Sequence, residues 1–158
     1  LGMSGVDRGL VRARQMSPEM GLTGTVTSVR GEVLLDLLRQ GVTPVVAPVS
    51  LGEHSAYNVN ADHVAGAIAV AIQAQRIIFL TNLEGVLNQG QVISSLSIAR
   101  AEALIAGGHI FGGMIPKVRT ALHAIDDGVP QAVITNLNGL KTGGGTVFTH
   151  AETADDES

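Results

Sequence analysis

The 158-residue sequence contains no cysteine and no tryptophan, and lysine occurs only twice, at Lys117 and Lys141. Without thiols there is neither a disulfide framework nor a thiolate metal site, which suits a cytoplasmic protein. Basic residues number 10 against 14 acidic ones, giving a formal net charge of -4, and no Lys/Arg-rich run occurs. Nucleic-acid-binding and membrane-surface proteins usually carry a basic patch, so the charge pattern argues against both classes. Long apolar runs are missing too. The longest, within Val64 to Leu80, is interrupted by Gln73, Gln75 and Arg76 and falls short of the ~20 apolar residues of a membrane helix. No signal-peptide pattern opens the chain. The five histidines show no i, i+4 or other metal-ligand spacing, so no protein-held metal is expected. His63 and His123 are expected to face a polar surface or to pack on helices.

The residues present describe a globular chain. With 45% hydrophobic and 15% charged residues, it can bury a sizeable core, and its length is that of one ordinary domain. Small-molecule chemistry is the reading that remains. The opening LGMSGVDRGLVRARQM reads as the middle of a domain, so an N-terminal portion is expected to precede it. Within it, GMSGVDRG lacks the spacing of a dinucleotide-binding glycine motif and reads as a turn.

Helix and strand patterns alternate. In RGEVLLDLLRQG, Val33, Leu34, Leu37 and Leu38 share a helical face that Gly41 stops, and VTPVVAPV follows as a strand. A helix is predicted from about Ala61 to Ala74, with an Ala/Val/Ile stripe nearly all round it that implies burial on more than one side. RIIFLT is a strand and NLEGVLNQGQ a loop. Ser97 caps a helix ending at Gly107 and Gly108, and Pro116 stands in the first turn of another that Gly128 stops. QAVITN and GTVFT close as strands, with TGGGT read as a turn before the last. The alternation predicts an α/β layer fold with a mainly parallel sheet. The tail AETADDES, residues 151–158, is expected to be disordered.

Ligands of such folds gather where strands end and helices begin. Three junctions qualify: Asn58 to Asp62, Thr81 to Leu87, and Gly112 to Lys117. Lys117 lies in the first turn of its helix, where the dipole disfavours a cation by ~0.3–1 kcal/mol unless an anion sits beside it. Backbone amides after Gly112 and Gly113 with that ammonium group would form a phosphate site, against the plainer reading of a solvated surface lysine. In NVNAD, Asn58, Asn60 and Asp62 share one face of an extended chain. A helix starting at Ala61 would make Asn60 its cap and put Asp62 in its first turn. That leaves Asn58, whose amide can read a carboxylate or an amide on a small ligand.

TPVVAPV, YNVNAD, LTNLEGVL, LIAGGHIFGGMIPKV and the closing GGGTVF together resemble the C-terminal half of the amino acid kinase family. Within that family the match is to the branch acting on N-acetyl-L-glutamate in arginine biosynthesis. The resemblance runs from about Gly31 to Thr149, and GMSGVD matches the stretch that precedes the family's nucleotide-binding half. It implies a remnant of the substrate and dimerisation lobe in residues 1–30 and a nucleotide-binding lobe in residues 31–150. It further implies a three-layer αβα sandwich, Mg-ATP, with Mg²⁺ carried on the ATP phosphates, and a homodimer or larger homo-oligomer. Asn58 and Asn60 would meet the acetylated substrate. Asp62 would orient lysines around the transferred phosphoryl group, and Lys117 would stabilise charge on it. Thr81, Asn82, Leu83, Glu84, Gly85 and Val86 would line the ATP site, as would His109, Ile110 and Phe111, with Gly113 and Met114 close by.

The sequence departs from the family in three ways. It shows no glycine-rich phosphate loop with its lysine and no substrate arginine of the N-terminal half, so the chain alone is expected to be inactive. Asn82 stands where aspartate is usual. The segments between Met16 and Thr23 and after Asn136 are short. The rival readings are kinases for aminoadipate or glutamate carboxylates and a non-catalytic amino-acid sensor of the same fold.

Overall fold

The computed structural model describes residues 1–150; the tail of residues 151–158 lies outside them. The chain forms two compact units, one of Leu1–Ile72 and one beginning at Gln73.

The first unit contains β1 (Gly2–Ser4), β2 (Val11–Gln15), β3 (Gly24–Val29), α1 (Gly31–Arg39), β4 (Val45–Ala47), β5 (Val49–Leu51), β6 (Ala56–Asn58) and α2 (Ala61–Ala71). Strands β1 and β4 pair in parallel, and a separate four-stranded sheet runs β3-β2-β5-β6. In it β2 and β5 are parallel, whereas β2–β3 and β5–β6 are antiparallel. The expected strand through VTPVVAPV is thus two strands separated by Pro48, whose missing amide interrupts a ladder. The turn expected in GMSGVDRG is present as residues 5–9, and strand β1 lies before it. Asp7 holds this turn, its Oδ2 accepting from the Ser4 amide at 2.7 Å and the Ser4 hydroxyl at 3.1 Å.

Alternation sets the faces of β2. Val11 and Ala13 are buried with Leu10, Val33, Leu34, Val59 and Val64, while Arg12 and Arg14 are exposed. α1 places Val33 and Leu34 in this core, but Leu38, expected on the same face, is 45% exposed. Its approach to α2 is close: a Cβ on Gly31 would lie 2.5 Å from the Ala71 carbonyl oxygen. α2 begins at Ala61 as predicted and ends at Ala71, three residues early, where Gln73 turns the chain at φ 52°.

The second unit contains β7 (Ile77–Leu80), β8 (Leu87–Asn88), β9 (Gln91–Val92), β10 (Ser95–Ser97), α3 (Ile98–Ala106), α4 (Met114–Asp126), β11 (Ala132–Thr135), α5 (Leu137–Thr142) and β12 (Thr146–Thr149). Its sheet runs β10-β12-β11-β7, parallel at both outer pairs and antiparallel between β11 and β12. The segment read as a loop from Asn82 to Gln91 contains most of the β8–β9 hairpin, with Gln89 at φ 51° and Gly90 at φ 82° in its turn. α3 is capped as predicted, the Ser97 hydroxyl accepting from the Arg100 amide at 3.2 Å. All four residues of β11 are buried, and α4 adds Val118, Leu122 and Ile125 to the core. Helix α5 was not foreseen; Asn136 caps it and Gly143 ends it at φ 80°.

Candidate nucleotide site

Strand β7 ends at Leu80 and hands the chain to Thr81, Asn82 and Leu83, while α4 opens at Met114 after the GGHIFGG loop. Between these two segments lies a cavity of about 430 Å³. Its position at the carboxyl end of a parallel strand is where α/β sheets hold ligands. One wall is Thr81, Asn82, Leu83 and Val86, and the other is His109, Ile110, Phe111, Gly113 and Met114. Lys117, half-buried in the first turns of α4, is the only Lys or Arg among the lining residues, and no Asp or Glu lines it.

The walls are built locally. Ile110 is 2% exposed and anchors the loop, its amide donating to the Leu104 carbonyl at 3.2 Å. The amides of Met114 and Ile115 donate to the carbonyls of Phe111 and Gly112, at 3.3 and 3.2 Å. Opposite, Val86 is 1% exposed, and its amide donates to the Thr146 hydroxyl at 2.8 Å. That hydroxyl in turn donates to the Ile93 carbonyl at 2.6 Å. Thr146 was missed by sequence reading, because a threonine in a predicted strand carries no signal of a contact sixty residues away. Leu87 and Gly112, which bound two of the junctions read from the sequence, also line the cavity, although neither was among the individual ATP-site residues.

Two expected ATP-site residues stand elsewhere. Glu84 lines a second cavity of about 420 Å³ with Ser94, Asn138 and the Gly143–Gly145 turn. Gly85 is buried where a Cβ would lie 2.7 Å from the Thr146 hydroxyl and 2.9 Å from Val92, so its role is close packing behind the wall. Asn82 is exposed, its Oδ1 accepting from the Thr81 hydroxyl at 3.1 Å.

Asn58, Asn60 and Asp62 belong to the first unit. The Asn60 side-chain oxygen accepts from the amides of Asp62 at 2.9 Å and His63 at 3.3 Å, making it the N-cap of α2. Asp62 is half-buried in the first turn, and the Asn58 side chain is exposed at the end of β6. The Asn58 backbone is fixed, since its amide donates to the Leu22 carbonyl at 2.8 Å. Beside it, Tyr57 packs where a Cβ on Gly24 would lie 2.7 Å from its own Cβ, and its ring also fills the space left by Gly52.

Among the described residues, no group of three or more His, Asp or Glu side chains could hold a metal ion, and no helix is long and apolar enough to cross a membrane.

Comparison with known proteins places this geometry. The profile of the amino acid kinase family matches residues 1–136. The acetylglutamate kinase of Roseiflexus sp. (strain RS-1) is 54% identical over 155 residues, covering 96% of this chain and 59% of that protein. The chain therefore spans about three-fifths of the length of this curated relative. The crystal structure of smu.665 from Streptococcus mutans UA159 superposes with a TM-score of 0.80 at 31% identity, covering 90% of this chain and 58% of that one. N-acetylglutamate synthase from Neisseria gonorrhoeae, complexed with coenzyme A and L-arginine, gives a TM-score of 0.82 at 22% identity over 94% of this chain and 37% of its own, a likeness of fold. With its α/β units, its cavity between strand end and helix start, and a profile match over most of its length, the chain belongs to the amino acid kinase family.

Proposed function

We propose that the protein carrying this chain is an ATP-dependent kinase of the side-chain carboxylate of N-acetyl-L-glutamate, acting in arginine biosynthesis. The chain supplies its nucleotide cavity and, through Asn58, part of its acyl-substrate site. The observation that carries this reading is the pairing of apolar walls with a single half-buried lysine at the start of a 13-residue helix. The 54% identity to an acetylglutamate kinase supports the choice of acceptor.

The cavity fits ATP in kind: its apolar walls suit a base, and Lys117 with the positive end of α4 suits phosphate. Magnesium would come with the nucleotide, would need few protein ligands, and would supply positive charge against the phosphates. The acceptor carboxylate, with an ordinary pKa of ~4.3, is ionised at neutral pH, so no general base is required. Its oxygen forms the new bond to the γ-phosphorus as the bond to the β,γ-bridging oxygen breaks and ADP leaves. The protein's tasks are in-line positioning and spreading of negative charge. Lys117 serves the second task and Asn58 the first, and Asp62 would orient the lysines of the full-length protein around the transferred group. Homodimeric assembly and a cytoplasmic location belong to the same proposal.

A non-catalytic sensor of the same fold is the second reading. It is favoured by Asn82, which lines the cavity at a position where the family usually has aspartate. An ATP-dependent hydroxamate assay on the full-length protein, with N-acetylglutamate, glutamate and aminoadipate as acceptors, separates these readings. Acyl phosphate formed from N-acetylglutamate supports the proposal; formation from another acceptor reassigns the substrate, and none from any acceptor favours the sensor.

A further inference from the structure

The first unit, Leu1–Ile72, holds a single aromatic residue, Tyr57, since Phe79, Phe111 and Phe148 lie beyond it. Tyr57 is the middle residue of the short strand β6, half-buried between exposed Ala56 and exposed Asn58. In register it lies opposite the buried Ser50 of β5, and it packs against the core of Leu10, Val11 and Val33. Successive side chains of a strand point to opposite faces, so an inward Tyr57 turns Asn58 outward.

Two glycines make the seat for the ring. A Cβ on Gly24 would lie 2.7 Å from the Tyr57 Cβ and 3.1 Å from its Cγ, and one on Gly52 would lie 2.6 Å from its Cδ2. Gly24 opens β3 and Gly52 follows β5, so the ring is gripped from two segments. The strands β3 and β6 are the outer ones of the sheet β3-β2-β5-β6, yet the chain entering β3 reaches β6. Thr23 bridges Asn58 in parallel, and the Asn58 amide donates to the Leu22 carbonyl at 2.8 Å. The sheet therefore closes on itself at Asn58, with Tyr57 on its core-facing side. A slip of one residue in β6 would send Asn58 inward and Tyr57 into water. Within the strand only Tyr57 faces the core, while the buried Val59 holds the chain just before α2.

We infer that Tyr57 is a positioning residue of the acyl-substrate site: its ring, seated against Gly24 and Gly52, fixes the rotation of β6 and with it the direction of the Asn58 amide. The inference rests on the reading that Asn58 meets the acetylated substrate, and adds what aims it. The seated atoms are Cβ, Cγ, Cδ2 and Cε2, so the ring carries the role and the phenol hydroxyl does not.

The test is steady-state kinetics on the full-length protein with N-acetylglutamate and Mg-ATP. The native protein is compared with Asn58→Ala, Tyr57→Leu, Tyr57→Phe and the double variant of Tyr57→Leu with Asn58→Ala. Asn58→Ala should raise the KM for N-acetylglutamate about tenfold, the worth of one hydrogen bond. Tyr57→Leu should raise it by a similar factor while the KM for Mg-ATP stays within about twofold of native, because only the aim of Asn58 is lost. Tyr57→Phe should keep the native values. In the double variant the two increases should not multiply, since Tyr57 acts through Asn58. Where urea unfolding shows that Tyr57→Leu does not fold, Gly24→Ala takes its place, alone and with Asn58→Ala, because it displaces the ring without removing it. A native KM in the Tyr57 or Gly24 variant beside a raised KM in Asn58→Ala overturns the inference and leaves the substrate reading standing. So do fully multiplying increases, which would make Tyr57 a support of the fold alone. A native KM in Asn58→Ala, or no turnover of N-acetylglutamate by the native protein, overturns the inference and the reading together.

Discussion

Thr146 and Val86 are joined across sixty residues: the buried Thr146 hydroxyl accepts from the Val86 amide at 2.8 Å while donating to the Ile93 carbonyl at 2.6 Å. One side chain thus ties the wall of the 430 Å³ cavity to β12, and replacing it orphans one buried and one part-buried backbone group. Thr146→Val keeps the shape and removes both bonds, so it should cost ~2–6 kcal/mol at ~1–3 kcal/mol per unsatisfied group. Thr146→Ser should recover most of that. Urea unfolding measures the loss, and faster hydrogen exchange at the Val86 amide locates it.

Glycines in this chain divide into those that make room and those that do not. An alanine at Gly24 would place its Cβ 2.7 Å from the Tyr57 Cβ and 3.2 Å from the Arg14 carbonyl oxygen. Overpacking of this kind costs ~1–3 kcal/mol, and Tyr57 must shift to relieve it. Gly113, with a negative φ and nothing within 4 Å of its added Cβ, should accept alanine within ~1 kcal/mol of neutral. The chain has a single tyrosine, so its NMR ring signals report the shift: they should move in Gly24→Ala and stay in Gly113→Ala.

Asn60 carries the cap of α2, with its side-chain oxygen on the amides of Asp62 and His63. Asn60→Ala should lower stability by ~0.5–2 kcal/mol, whereas Asn60→Asp should be close to neutral. Chemical denaturation of the three proteins checks the order. A larger loss in substrate binding than in stability would add ligand contact to the capping role.

Lys117 is expected to act on the phosphates alone. Lys117→Ala should weaken Mg-ATP binding and leave adenosine binding unchanged, since the apolar walls are untouched. The proposed function further predicts that in the full-length protein the same change cuts kcat far more than it raises the KM for acetylglutamate, the pattern of a group that acts in the transition state. Calorimetry and steady-state kinetics give the two readouts.

The elements that sequence reading recovered are those with a local cause. Asn60 and Ser97 announce helix starts, Pro116 marks a first turn and Gly128 a stop, and each acts on backbone groups within a few residues. The features it missed depend on partners far along the chain. The β2–β3 hairpin was not anticipated, although its alternation is plain once Leu10, Val11 and Ala13 are seen to share a core with Val33 and Leu34. Leu38 kept the helical period of α1 and still fell on the exposed side, because period defines a stripe and not its depth. At the site, the walls around Thr81–Val86 and His109–Met114 were legible through the family resemblance. Gly85 and Glu84 were assigned along with their neighbours, yet a turn after Leu83 takes them to the back of the wall and to the second cavity.

Photolabelling with 8-azido-ATP in the presence of Mg²⁺, followed by peptide mapping, decides which of the two cavities takes the nucleotide. The expected result is ATP-protected label within Thr81–Leu87 or His109–Met114. Label confined to Asn138–Gly145, or label that ATP does not displace, would contradict it.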